Sequence, residues 1–217
     1  MPTIVVGDLH GQHEIVDKVM KYAGTELDVV FLGDYVDSFK RGPDDQIMTL
    51  QKVIAAALNH PKQVTALKGN HEMSYLDDRM RCSGWTFGVA NLFKHLQTDV
   101  LEDYVMFDGV LMTHAGVSQS LLDYRKQTLE EYLEEGDFLQ IGRSRGGYEP
   151  CGGLYWCDFN FEFEPLEGVP QVFGHTRGKG IRKYGNSYCI DCLEDTETSV
   201  LLLKDDGDVE YIPVDEL

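Results

Sequence analysis

The chain has 217 residues, 42% hydrophobic, 11% aromatic and 26% charged, which suits a single soluble domain with a sizeable core. Its net charge of −18, from 19 Lys plus Arg against 37 Asp plus Glu, repels a phosphate backbone and argues against nonspecific nucleic-acid binding. No apolar run reaches membrane-span length, and residues 1–8 lack a basic region leading into a long apolar stretch, so no membrane association, no signal peptide and a cytoplasmic location are expected.

In chain order, a strand is expected at 3–6, a helix near 14–22 and a strand at 29–32. A second helix is expected at 44–58, with Pro43 and Asp44 in its first turn and Ile47, Leu50, Ile54, Ala57 and Leu58 on one face. A strand at 64–67 follows. Residues 73 to about 100 read as helical, interrupted near Gly84 and Gly88. From Tyr104 the pattern turns β-rich, with strands expected at 110–113, 171–173 and 188–190. The segment 119–163 is irregular: a polar helix near 121–133, then Gly142-Arg143-Ser144-Arg145-Gly146-Gly147, which reads as a substrate-facing cap. Strands at 200–204 and 209–212 flank Asp205-Asp206-Gly207-Asp208, a hairpin signal.

Five cysteines, an odd number, suggest reduced thiols. Cys189 and Cys192 have CxxC spacing, and with Cys151 and Cys157 they could form a zinc knot. Positions three apart on a strand point to opposite faces, which argues against it.

The chemistry concentrates in five short pieces: Gly7-Asp8-Leu9-His10-Gly11, Gly33-Asp34-Tyr35-Val36-Asp37, Gly69-Asn70-His71-Glu72, His114-Ala115-Gly116 and Gly174-His175. Each follows a short apolar run, as ligands do at the carboxyl ends of α/β strands. Asp, Asn and His together form a donor set for borderline-hard divalent metals. His13, His60 and His95 fall in no such piece.

The order of these pieces resembles the calcineurin-like metallophosphoesterases, specifically the phosphoprotein phosphatase branch, with its GDxHG, GDxVDRG, GNHE, HAG and GH motifs. Phe173-Gly174-His175-Thr176, Leu154-Tyr155-Trp156-Cys157-Asp158 and Ile190-Asp191 resemble the small prokaryotic and phage Ser/Thr phosphatases and the diadenosine tetraphosphatases. The resemblance implies that Asp8 and His10 bind a first metal and Asn70, His114 and His175 a second, with Asp34 bridging both. Asn70 would also face the substrate. Two cations about 3.5–4 Å apart can share a water, lower its pKa and clamp phosphate oxygens for in-line attack. His71 would protonate the leaving oxygen, oriented by Asp37. The metals are expected to be Mn, with Fe or Zn as alternatives.

One departure stands out. Where the family's GDxVDRG places a phosphate-gripping arginine, this chain has Ser38. Arg41, Arg143 and Arg145 are the candidates to supply a guanidinium instead. Asp158 also falls where some relatives carry Arg.

The expected fold is therefore α/β and, as the resemblance implies, a sandwich of two mixed sheets flanked by helices, residues 1–217 forming one domain with a cap at about 119–163. The βαβ units of the first half would form one sheet and the β-rich second half the other. The expected function is a metal-dependent phosphomonoesterase, Ser/Thr phosphatase-like, acting on a phosphoprotein or a phosphorylated small molecule. The alternatives are a dinucleoside polyphosphate hydrolase or small phosphodiesterase, and an inactive metal-binding interaction module.

Overall fold

Alternation along two central strands sets the layering. In the computed structural model, which describes residues 1–217, strand β1 (Thr3–Val6) runs parallel to β2 (Asp28–Phe31), and β2 parallel to β3 (Val64–Ala66). Every residue of β1 and β2 is buried, as a strand covered on both faces requires. Ile4, Val6, Val29 and Phe31 face one apolar cluster, and Val5 and Val30 face another.

The first cluster lies under helices α1 (His13–Ala23) and α2 (Pro43–Asn59), the crossovers between the parallel strands. Ile15, Val16, Val19 and Ala23 form the buried face of α1. The α2 face is rotated from the expected one. Gln46, Thr49, Leu50, Val53, Ile54 and Ala57 are buried, whereas Leu58 is exposed. Gln46 turns inward because its amide serves the preceding loop: it accepts from Asp37 N (2.9 Å) and donates to the Arg41 carbonyl (2.9 Å).

The second cluster is the sandwich interior. Val5, Val30, Leu32, Leu67 and Leu201 from one sheet meet Met112, Val172 and Ile190 from the other. Burying each such side chain contributes about 1.5–3 kcal/mol. The opposite sheet has the order β4 (Tyr104–Phe107), β5 (Val110–Thr113), β6 (Gln171–Phe173), β8 (Ser187–Cys189), β7 (Arg182–Tyr184). In it β5, β6 and β8 are parallel, and β4 and β7 run antiparallel at the edges.

The halves of the chain do not divide cleanly between the sheets. β9 (Ser199–Leu203) pairs antiparallel with β1, and β10 (Val209–Pro213) antiparallel with β9, so the last hairpin completes the first sheet. The first sheet is therefore mixed, in the order β10-β9-β1-β2-β3.

Two helical segments break where a continuous helix was expected. Helix α3 (Asn70–Leu76) begins at its motif residue Asn70, and α4 (Phe87–Phe93) begins after a loop at 77–86, so Gly88 lies inside a helix rather than interrupting one. The polar segment is two short helices, α5 (Gln119–Arg125) and α6 (Leu129–Glu135). Lys126, at φ 57, terminates the first. Thr128 caps the second, its hydroxyl accepting from Glu131 N (3.2 Å) while Glu131 accepts from Thr128 N (2.8 Å).

The third apolar cluster joins the outer face of the second sheet, through Leu111, Phe173 and Cys189, to Tyr132, Phe138, Leu154, Tyr155 and Phe163. No helix is long and apolar enough to cross a membrane.

Candidate metal centre

The carboxyl ends of β1, β2, β3, β5, β6 and β8 open on the same edge of the sandwich. There the chain delivers Asp8 and His10, Asp34 and Asp37, Asn70 and His71, His114, His175, and Asp191. Of these, His10, Asp34, Asp37, Asn70, His71, His175 and Asp191 line one cavity of about 390 Å³.

Asp34 is the hub. Its Oδ2 lies 3.8 Å from His10 Nε2, 3.4 Å from His114 Nε2 and 3.9 Å from His71 Nε2. Backbone carbonyls set two of these tautomers: His10 Nδ1 donates to Val36 O (2.8 Å) and His114 Nδ1 to Leu32 O (3.0 Å), which leaves each Nε2 aimed at the cluster. Asn70 Oδ1 lies 2.9 Å from His114 Nε2 and 3.0 Å from His175 Nδ1. Asp8 accepts from His175 N at 3.1 Å. Asp34 thus gathers His10, His71 and His114, Asn70 joins His114 to His175, and Asp8 meets them through the His175 backbone.

The donors fit a pair of divalent cations. Two sets of potential ligand atoms converge, His10–Asp34–His71 and Asp34–His114–His175; the first holds His71 and not the expected Asp8. His175 Nε2 is buried without a hydrogen-bond partner. A Cβ at Gly69 would lie 2.1 Å from Asp34 Oδ1, and one at Gly174 2.0 Å from Asp8 Oδ1, so both carboxylates occupy space that only glycine leaves open.

The buried charges of the cluster perturb one another strongly. Burial and then the neighbouring Asp191 push Asp8 well above the usual carboxylate range. Burial and then the Asp34 charge act against each other on His114 and on His71, and the carboxylate prevails, holding each at about 9. Burial also acts to raise Asp34, but His114 and His71 hold it well below its ordinary value. Burial, with His114 and Arg145 nearby, keeps His175 neutral.

His71 and Asp37 form a separate pair: His71 Nδ1 lies 2.9 Å from Asp37 Oδ2, and the Asp37 side chain is fully buried. Ser38, in the place of the family's arginine, accepts from Lys40 N and Arg41 N, both at 3.1 Å, and so shapes a turn. Arg41 is engaged by Glu14 at the α1 surface, and Arg143 is exposed outside the cavity lining. Arg145 does line the cavity. Its Nε lies 2.8 Å from Asp158 Oδ2, an ion pair without hydrogen-bond alignment, and its Nη2 donates to Thr176 Oγ1 (3.1 Å).

Several residues at this edge carried no assigned role in the sequence. Arg81 and Arg177 also line the cavity. Glu72 is wholly buried and accepts from Asp34 N (2.7 Å), Tyr35 N (2.8 Å) and Gly69 N (2.9 Å), clamping two of the motif loops together. Its signal was the final letter of the Gly69-Asn70-His71-Glu72 motif. Asp191 lines the cavity at the end of β8, and burial, opposed chiefly by His10, raises it to about 6. The cysteines are all free. Cys189 donates to the Gly174 and Thr176 carbonyls and Cys192 to Ser199 O, whereas Cys151 and Cys157 sit beside Glu162.

Known proteins match this chain along most of its length. The sequence profile described as calcineurin-like phosphoesterase matches residues 1–176. A Schizosaccharomyces pombe protein named "Putative serine/threonine-protein phosphatase" is 32% identical over 193 residues, or 83% of this chain and 57% of that protein. The chain thus spans little more than half of that relative. A solved cold-active protein-tyrosine phosphatase from a psychrophilic Shewanella species superposes with a TM-score of 0.64 at 17% identity, covering 97% of this chain and 80% of that one. A protein serine/threonine phosphatase from Saccharomyces cerevisiae does so with a TM-score of 0.61 at 15% identity, covering 98% and 80%. At such identities the two superpositions show a shared fold.

Proposed function

Because the chain belongs to the calcineurin-like phosphoesterases, we propose that it is a dinuclear metal-dependent phosphomonoesterase, acting in the manner of a Ser/Thr protein phosphatase on a phosphoprotein or a phosphorylated small molecule. One observation carries the reading: a His71–Asp37 pair whose imidazole faces the same cavity as a convergent set of Asp, Asn and His donors. We read residues 1–217 as one domain with 119–163 as its cap.

Asp8, His10 and Asp34 would hold one cation, and Asp34, Asn70, His114 and His175 the other, with Mn as the expected metal and Fe or Zn as alternatives for the same donors. When bound, such a pair supplies Lewis acidity and activates water at neutral pH. His71 then gives its Nε2 proton to the leaving oxygen, and Asp37 holds the Nδ1–H tautomer that makes this possible. Arg145 meets the phosphoryl charge from the cap, with its head anchored by Asp158 and Thr176. Arg81 and Arg177 add positive charge at the rim. Arg41 and Arg143 are set aside for this task because neither reaches the cavity lining.

The test is a panel of an aryl phosphate, a phosphopeptide and a dinucleoside polyphosphate, assayed with chelator and with added Mn²⁺. Chelation should abolish turnover of the two monoesters and Mn²⁺ should restore it. His71→Asn should keep its metals and lose about 10²–10⁴-fold in rate. Full turnover in a verified metal-free preparation would overturn the reading, and loss of metal in His71→Asn would make His71 a ligand.

A second reading, a dinucleoside polyphosphate hydrolase or small phosphodiesterase, is favoured by one observation. Phe39, 80% exposed, lines the cavity mouth beside Ser38, a face on which a nucleobase could stack. Wild-type preference for the dinucleoside polyphosphate would promote it.

A further inference from the structure

Asp37 carries a second donor besides His71. The Tyr75 hydroxyl is hydrogen-bonded to Asp37 Oδ1, while Asp37 Oδ2 faces His71 Nδ1 at 2.9 Å. His71 and Tyr75 are four residues apart on α3 and so share one helical face.

The direction of this bond is determined. Thr86 N donates to the Tyr75 oxygen at 3.1 Å, so the hydroxyl has an incoming donor and its own proton goes to the carboxylate. Thr86 is fixed in turn as the N-cap of α4, its Oγ1 accepting from Val89 N. The Tyr75 ring is held by stacking on Phe93 (centroids 4.7 Å apart, planes 15°) and on Trp85 (5.7 Å, 18°). Packing alone would be served equally by phenylalanine. The hydroxyl adds only a hydrogen bond to a buried carboxylate, and that bond fixes the carboxylate's rotation about its Cβ–Cγ axis.

We propose that Tyr75 is a positioning residue for the general acid: through its hydroxyl it orients Asp37, and through Asp37 it orients His71. This inference rests on the acid role given to His71 above. An imidazole allowed to rotate would present its Nε2 proton off line to the leaving oxygen, and small misplacements of this kind are costly in rate.

The experiment compares Tyr75→Phe, His71→Asn and the double variant in Mn²⁺-loaded protein, with phenyl phosphate as the poor leaving group and 4-nitrophenyl phosphate as the good one. Thermal midpoints and metal content are measured alongside. Tyr75→Phe should lower kcat for phenyl phosphate roughly 10- to 100-fold, the scale of a lost hydrogen bond to a charged group, with KM and metal content unchanged. The loss on 4-nitrophenyl phosphate should be much smaller, since a good leaving group needs little protonation. In the His71→Asn background Tyr75→Phe should add nothing. An unchanged kcat, equal losses on both substrates, or the same loss with His71 already removed would each overturn the inference, leaving Tyr75 a packing residue. If His71→Asn itself spared phenyl phosphate, the acid role would fail, and the positioning role with it. If only Tyr75→Phe were silent, the acid role would stand alone.

Discussion

A single methyl group tests how tightly the centre is built. Gly69→Ala would place its Cβ 2.1 Å from Asp34 Oδ1 and 2.5 Å from Asp34 N. Neither the helix start nor the hub carboxylate can yield without disturbing the other. We expect about 1–3 kcal/mol of destabilisation from the overpacking, together with a loss of Mn²⁺ affinity, read from urea melts with and without metal. Asp34→Asn should be worse for activity than loss of any one of His10, Asn70 or His175, because Asp34 faces both donor groups. At this scale the residues that gather at the sandwich edge were legible, since each motif names a residue type and its place after a strand. Their backbones were not. His10, Asp34, Asp37 and His175 are four of the six non-glycine residues at positive φ, a costly conformation that only the assembled loops enforce. The arginines were not legible either, because a long side chain's target depends on loop shape. Arg41 ends at Glu14 and Arg145 at Asp158, though nothing in their local sequence separates them.

Among the elements, the proposed cap is the one whose chemistry can be moved. Arg145→Ala should raise KM for monoesters and weaken inhibition by inorganic phosphate, while sparing diesters. A monoester is a dianion at neutral pH and a diester a monoanion, so loss of one cation costs the monoester more. Equal effects on both substrates in steady-state assays would show that Arg145 only fastens the cap. Residues 144–162 are drawn together by Glu162, which accepts from Ser144 N (3.0 Å), Gly152 N (2.8 Å) and Asp158 N (3.3 Å). Such convergence across 18 residues has no sequence signature. The break between α5 and α6 did have one: Thr128 and Glu131 form a capping box that marks a new helix start. On α2 Leu50, Ile54 and Ala57 are buried as expected, but Ile47 is half-buried and Leu58 exposed, while Gln46 turns inward because its amide serves the loop before it.

For the molecule as a whole, the proposed cation binding would be linked to folding. Ions that bind only the folded state stabilise it by about 2.7 kcal/mol per site at a hundredfold excess over Kd, so chelator should lower the melting midpoint and Mn²⁺ should recover it. The pH dependence should change with the metal. In cation-free protein His71 and His114 are both raised to about 9. Raised folded values favour the protonated fold, so their contribution is complete below the unfolded value near 6.5 and is lost as pH rises through about 9. Calorimetry of the metal-free protein should therefore show a falling midpoint from pH 6.5 to 9. Saturating Mn²⁺ should remove the His114 share of that slope, since a bound imidazole is already deprotonated, and leave the His71 share, because His71 keeps its proton.

The pairing of β1 with β9 also sets an order in time. Thr3 waits for Leu203, so one edge of β1 stays open while every proposed ligand, from Asp8 to His175, has already been made. A chain growing from its amino end thus passes through a stage with a complete donor set and an unguarded strand. Open strand edges are templates for self-association, and distant pairings form slowly. A chain ending at residue 198 would hold that stage permanently. It should aggregate on light scattering despite keeping all its donors, and a synthetic β9–β10 hairpin supplied in trans should suppress the aggregation by closing the edge.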